Sequence, residues 1–285
     1  MTQPAGFDFD EFVTRTLAED LGEGGDVTSA ATIPATARFT AEMNCRQPII
    51  VAGITIAEAF FRALDPQVSI ETLIEDGQRV VAGTVIMRIT GQARAMLTAE
   101  RSALNTVQHL SGIATLTGHY VDAIAGTGAK LLDTRKTIPG LRALEKYAAR
   151  MGGAVNHRMR LDDGVLIKDN HVGVAGDVAE AVRRARAADT GLQVQVEVDR
   201  LSQIEPAIAA GAERLLLDNM APTVLREAVA MVSGRVPLEA SGGVNLDTIR
   251  AIAETGVDFI SVGRITQSAP AVDIGLDYRH DPVLG

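Results

Sequence analysis

Arg135, Lys136, His157, Arg158, Arg160 and Lys168 are the residues of this chain best suited to hold anions, and they fall close together. From Lys130 to His171 there are nine Lys/Arg against five Asp/Glu, whereas the rest of the chain has 18 against 31 and the whole has a net charge of −9. All four lysines, Lys130, Lys136, Lys146 and Lys168, lie in this window. A guanidinium fork matches a carboxylate, and a lysine ammonium acts on phosphate as a compact point charge. The pattern therefore points to a pocket for small anions. Glu197 and Asp218 supply the opposite chemistry, since two carboxylates beside a cationic site suit ribose hydroxyls and Mg²⁺. Two glycine-rich stretches, "ASGGVN" and "SVGRIT", contain Ser241, Gly242 and Gly263, and such loops present backbone N–H groups to phosphate. Taken singly, His157 reads as structural and gains its weight from its neighbours; for Lys168 a buried pair with Glu197 or Asp218 is the lesser alternative to a role in the pocket.

These residues need a scaffold that brings them to one place. From Lys130 onward the apolar runs KLLDTR, GVLIKDN, LQVQVEVD, RLLLDNM, PLEASGG and DFISVGR alternate with helical patterns such as DVAEAVRRARAA and APTVLREAVAMV. Strands apolar throughout and alternating with helices imply a parallel sheet covered on both faces. Arg135, Lys168, Glu197, Asp218, Ser241 and Gly263 sit at or near the C-terminal ends of successive runs, the last four spaced by 21, 23 and 22 residues. In an α/β barrel those ends surround one mouth. A doubly wound open sheet is the alternative, but its usual G-x-G-x-x-G turn is missing.

Two further segments carry expectations. Thr137 and Pro139 should start a helix that Gly152 ends, with Leu141, Leu144, Ala148 and Met151 buried and Arg142, Glu145, Lys146 and Arg150 on a solvated face. Before it, the strands RFTAEMN, PIIVAG, VSIETLI and GTVIMRITG and one long helical segment form a different architecture. "EDGQRVVAGTVIMRITGQA" resembles the hairpins of lipoyl- or biotinyl-carrier domains, yet such carriers need a lysine at the tip and none precedes Lys130.

Composition excludes several classes. The single cysteine, Cys45, rules out an internal disulfide framework, and no Cys/His spacing resembles a zinc site. The apolar stretch Pro48–Ala57 is too short to span a bilayer, and the acidic N-terminus lacks a signal peptide's features. A cytoplasmic protein that binds neither membrane nor nucleic acid is expected, in keeping with a pI near 5.1.

The segments "EDLGEGGDVTS", "AERSALN", "LDTRKTIPGLR", "NHRMRLDDGVLIKDNH", "EVD", "LLLDNM", "ASGG" and "DIGLD" closely resemble the quinolinate phosphoribosyltransferase family over essentially the whole chain. The resemblance implies an α/β protein: an N-terminal α/β sandwich domain (1–112), an incomplete α/β barrel (113–269) and a C-terminal segment (270–285) returning to the first domain. It implies a homodimer and a pentosyltransferase reaction, in which quinolinate and phosphoribosyl pyrophosphate give nicotinate mononucleotide, pyrophosphate and CO₂ with Mg²⁺. Arg101 would enter the neighbouring subunit's dicarboxylate pocket, which Arg135, His157, Arg158 and Lys168 complete. Lys136, Ser241, Gly242 and Gly263 would hold phosphoribosyl pyrophosphate; Glu197 and Asp218 would hold its ribose and Mg²⁺, directly or through water. Lys136, Lys168, Glu197 and Asp218 would serve the chemistry itself. Where the family usually reads "THS" this chain reads "TQS", so Gln267 replaces a histidine and the nearby Arg264 could substitute for its charge. The alternatives are a paralogue found with molybdate-transport genes, a Schiff-base aldolase using Lys168, and a non-catalytic phosphate-binding protein.

Overall fold

The computed structural model describes residues 6–279; Met1–Ala5, part of the acidic N-terminus, and residues 280–285, the end of the C-terminal segment, lie outside the described residues. The chain forms two units. One comprises the residues up to Leu116, Ala143–Gly152 and those from Ala269 onward; the other comprises Thr117–Arg142 and Gly153–Ser268.

The first unit begins with α1 (Phe9–Leu21) and α2 (Val27–Thr32), whose starts are set by Asp8 and Asp26 accepting the backbone N–H of Glu11 and Ser29. There follow β1 (Arg38–Cys45), β2 (Ile49–Ile50), α3 (Ile54–Leu64), β3 (Ser69–Thr72), β4 (Arg79–Val80), β5 (Val85–Gln92) and the long α4 (Ala93–Ala123). In β1 every second residue, Ala41, Met43 and Cys45, is buried, the period expected of a strand with one covered face. Asp76 accepts from the N–H groups of Gly53 and Ile54 at the start of α3 (2.9 and 3.1 Å) and from the Tyr147 hydroxyl at 2.6 Å. β4 pairs with β2, while β5 pairs with β1 and β3. The carrier-like segment is therefore not a simple hairpin, because its two strands join different sheets.

The second unit, which takes in the end of α4 from Thr117, has β6 (Lys130–Leu132) as its first strand. Next in the chain, α5 (Arg142–Met151) places all but its first residue in the first unit. Then come β7 (Val165–Ile167), α6 (Asp169–Ala175), α7 (Val178–Ala187), β8 (Val194–Val198), a 3-10 turn at Leu201–Gln203, α8 (Ile204–Ala209), β9 (Arg214–Asp218), α9 (Pro222–Val232), β10 (Leu238–Ser241), α10 (Ile249–Ala253), β11 (Phe259–Ser261) and α11 (Arg264–Gln267). The chain ends its described course with β12 (Ile274–Arg279), which pairs with β1 to complete the antiparallel order β12-β1-β5-β3 of the first unit.

All six apolar runs of the second unit become strands, parallel and ordered β6-β11-β10-β9-β8-β7. This is an α/β barrel left incomplete between β6 and β7, where β6 meets only an isolated bridge from Leu132 to Val155. Alternation sorts its residues. Val196, Val198, Leu215, Leu217, Leu238 and Ala240 are buried on one face, while Gln195, Leu216, Asp218, Glu239 and Ser241 face the cavities inside. Among the described residues no helix is long and apolar enough to cross a membrane.

Helix α5 departs from the expectation. It starts at Arg142, not near Thr137, because Gly140 at φ 84° turns the chain first; its end is as expected, with the Gly152 N–H on the Ala148 carbonyl at 3.0 Å. Glu145 and Lys146 are fully buried instead of solvated. Glu145 pairs with His109 of α4 at 2.9 Å, so the helix has a second, polar contact face beside its apolar stripe. Arg142 is half-buried and ties Thr137 Oγ1 to the Met159 carbonyl (both 3.1 Å), while Arg150 is exposed as expected.

Candidate active site

Strand ends and the loops after them build a cavity of about 720 Å³ in the second unit, a size suited to a small-molecule ligand. Arg135, Lys136, His157, Arg158, Lys168, Asp218, Ser241, Gly242, Gly263, Arg264 and Gln267 all line it. Arg135 and Lys136 do not end β6, which stops at Leu132; they lie in the loop beyond it. Freed from strand alternation, both reach the same cavity. Arg101 stands exposed on α4 and is not among the lining residues. Glu197 is not a lining residue either, but its Oε2 accepts from Lys168 Nζ at 2.5 Å, and Lys168 does line the cavity.

The cationic side is held from behind. Asp133, fully buried, accepts the His157 backbone N–H at 2.8 Å and Asn156 Nδ2 at 2.5 Å, joining the loop after β6 to the loop before β7. Arg158 Nη1 donates to the Gly164 carbonyl at 2.8 Å. Burial, and then the nearby charge of Arg135, pushes the Arg158 guanidinium below its usual range, although an arginine remains a cation. Arg135 Nε is buried without a hydrogen-bond partner among the described residues. Two crowded guanidiniums, one with an unused donor, are poised for a ligand carrying carboxylates.

The loop around Lys136 is equally determined. Thr266 Oγ1 donates to the Lys136 carbonyl at 2.7 Å, and Thr134 Oγ1 accepts the Lys136 N–H at 3.1 Å. A Cβ at Gly263 would sit 2.7 Å from Lys136 Cδ, so the glycine makes room for the lysine stem. Gly242 has φ 91°, and a Cβ there would lie 2.2 Å from Asn219 Oδ1. Asn219 in turn donates to Asp218 Oδ2 at 2.7 Å, and its N–H meets the Ser241 carbonyl at 2.8 Å.

Asp133, Asn219, Thr266 and His171 were not singled out by sequence reasoning, although each adjoins or belongs to a motif that was. His171 lines the cavity, and its Nδ1 accepts the Lys168 N–H at 2.9 Å. The Lys168–Glu197 pair is present, but the lysine is 49% exposed, so it is not a buried pair. Paired with a carboxylate, Lys168 lacks the desolvation or neighbouring cation that activates a Schiff-base lysine.

A barrel mouth with clustered cations, carboxylates on adjacent strands and two glycine loops defines a class of α/β enzymes that handle phosphorylated, multiply charged anions. Comparison with known proteins narrows it. Residues 26–111 match the quinolinate phosphoribosyl transferase N-terminal domain and residues 113–277 the C-terminal domain. The chain belongs to the quinolinate phosphoribosyl transferase family. It is 45% identical over 273 residues to a nicotinate-nucleotide pyrophosphorylase [carboxylating] of Mycobacterium leprae, covering 93% of this chain and 95% of that one. A probable nicotinate-nucleotide pyrophosphorylase [carboxylating] of Bacillus subtilis is 41% identical over 260 residues, covering 91% and 89%. The solved nicotinate-nucleotide pyrophosphorylase of Francisella tularensis superimposes with a TM-score of 0.92 at 41% identity, covering 98% of this chain and 100% of that one.

Proposed function

We propose that this chain transfers the phosphoribosyl group of phosphoribosyl pyrophosphate to quinolinate and decarboxylates the product, giving nicotinate mononucleotide, pyrophosphate and CO₂ for NAD biosynthesis. The observation that carries the reading is the pairing of Arg135 and Arg158 in one cavity with Lys136, Lys168, Asp218 and the glycine loops, in a chain matched to the family over both domains.

The dicarboxylate takes Arg135, His157, Arg158 and Lys168; the phosphoribosyl donor takes Lys136, Ser241, Gly242, Gly263, Arg264 and Gln267. The ring nitrogen of quinolinate bonds to C1 of the ribose as the bond from C1 to pyrophosphate breaks. Positive charge develops on the sugar, and the fixed carboxylates of Glu197 and Asp218 stabilise it. Lys136 supports the departing pyrophosphate. The alkylated nitrogen is then positive, so it stabilises the electron pair left at C2 when CO₂ departs, and that carbon takes up a proton. No covalent nucleophile is required.

Among the described residues no cluster of three metal-binding side chains exists. The two carboxylates fit Mg²⁺, which commonly uses one or two carboxylates, water and the substrate's own phosphates. Mg²⁺ held by Asp218 and Glu197, directly or through water, would neutralise charge on the leaving group. Arg101 enters the site of a neighbouring copy in a homodimer. Mixing inactive Arg101→Ala and Lys136→Ala chains should then restore activity in heterodimers, where one site receives both intact residues; demonstrated heterodimers without activity would remove Arg101 from a shared site.

The direct test is mass-spectrometric detection of nicotinate mononucleotide and CO₂ from quinolinate and phosphoribosyl pyrophosphate with Mg²⁺. Binding of both substrates without either product would overturn the reading in favour of a non-catalytic protein.

A further inference from the structure

Below the mouth, the inside of this barrel is not wholly aliphatic. Barrel interiors are usually filled by Val, Ile and Leu. Here Gln195 of β8, Arg214 of β9 and Phe259 of β11 line a second cavity of about 520 Å³, and His157 and Arg158 border both this cavity and the larger one. Glu239 of β10 joins them at 1% exposure. Its Oε2 accepts from Gln195 Nε2 at 2.8 Å, lies 2.8 Å from Arg214 Nη2 and faces His157 Nε2 at 3.4 Å. Its Oε1 has no hydrogen-bond partner among the described residues, so one oxygen carries every contact. Arg214 stacks over the Phe259 ring at 4.0 Å.

A buried ion pair is a poor device for stability alone, because apolar replacements of similar volume are often as stable or more so. The position of His157 gives Glu239 another use. His157 Nδ1 accepts the backbone N–H of Arg158 at 2.8 Å, which leaves the ring proton on Nε2, the atom turned toward Glu239. Asp133 holds the same backbone at the His157 N–H. The ring is thus gripped at both nitrogens, and the second grip is on the residue that presents a guanidinium to the cavity.

We propose that Glu239 is a positioning residue for the carboxylate-binding side of the site: it locks His157 as the Nε2–H tautomer and, through Nδ1, sets the placement of Arg158. Burial pushes the Glu239 carboxyl up, but the hydrogen bond from His157, the charge of Arg214 and the hydrogen bond from Gln195 hold it below its usual range, so it remains an anion at neutral pH. The consequence for quinolinate rests on the functional reading above; the tautomer lock does not.

Nitrogen-15 NMR of histidine-labelled protein tests both parts, with the His157 ring signals identified by their loss in His157→Asn. In the wild type they should show protonated Nε2 and unprotonated Nδ1. The double variant Arg214→Met/Glu239→Leu removes both buried charges together and should fold with a Tm close to that of the wild type. Glu239→Asp keeps the counter-charge for Arg214 while withdrawing the carboxylate from His157. In both, the His157 signals should move to a mixture of tautomers. The KM for quinolinate should rise at least tenfold, with the KM for phosphoribosyl pyrophosphate within twofold of wild type. A folded variant with unchanged His157 signals overturns the proposal, as does an equal rise in both KM values. A wild type that turns over no quinolinate would sink the functional reading alone, since the nitrogen spectrum still decides the lock.

Discussion

Arg135, Lys136, Arg158 and Lys168 open into a cavity, whereas Glu145 and Lys146, on helix α5 between them in the chain, are fully buried in the first unit. Charge density alone does not separate these groups. A parallel strand ends where its hydrogen-bonded neighbours end, and the loop beyond is free to aim a cation into the space the sheet encloses. A helix has side chains all round, and a charged face is buried when another element supplies partners, as α4 does through His109. Charges of the first kind should therefore be spendable without loss of fold, and charges of the second kind should not.

The strongest break of that contrast uses the cavity cations. Arg158→Ala or Arg135→Ala should cost about 2–5 kcal/mol of transition-state stabilisation, a loss of roughly thirty- to several-thousand-fold in kcat/KM for quinolinate, with Tm near wild type. Unchanged kcat/KM would remove these residues from the pocket. Glu145→Ala should show the converse. Losing a buried charged hydrogen-bonding group should cost about 2–3 kcal/mol of folding stability, read as a lower urea midpoint at unchanged m-value. A wild-type midpoint would mean that the α5 charge is as dispensable as a surface one.

Tyr147 sharpens the same point in pH. Burial, and then its hydrogen bond to Asp76, raises the Tyr147 phenol above its ordinary value of 10.0. Because the unfolded chain ionises first, this contribution is fully present below pH 10 and is lost as pH rises toward the folded-state value. Tyr147→Phe should cost about 1 kcal/mol at neutral pH and flatten the decline in stability above pH 10. An identical alkaline profile in the variant would assign that decline to other groups.

The smallest effect belongs to Arg264, which is exposed at the cavity edge beside Gln267. Arg264→Ala should raise the KM for phosphoribosyl pyrophosphate roughly threefold to fivefold, the range of an exposed charge contact, and leave that for quinolinate nearly unchanged. Wild-type kinetics, together with tighter binding of phosphoribosyl pyrophosphate in Gln267→His, would mean the family's histidine charge is lost here without local compensation.

The regular β/α period made Glu197, Asp218, Ser241 and Gly263 legible as strand-end residues, because period and burial are local properties of a strand. Helix α5 was misread for a related reason. Periodicity marks one apolar stripe, and nothing local reveals that a second surface will cover the charged residues beside it. Thr266 was passed over as the neighbour of a missing histidine, although its hydroxyl anchors the Lys136 carbonyl across 130 positions of sequence.

By itself the sequence determined strands alternating with helices and the charge at the strand ends, since these follow from residue type and spacing along the chain, while its resemblance to a known family implied the incomplete barrel. Only the tertiary structure decided which charges stay open to a ligand and which are buried, that Gly263 clears space for Lys136, and that Glu239 stands beneath His157. Those are contacts between elements, and their free energies depend on distance and desolvation in space, which no one-dimensional pattern contains.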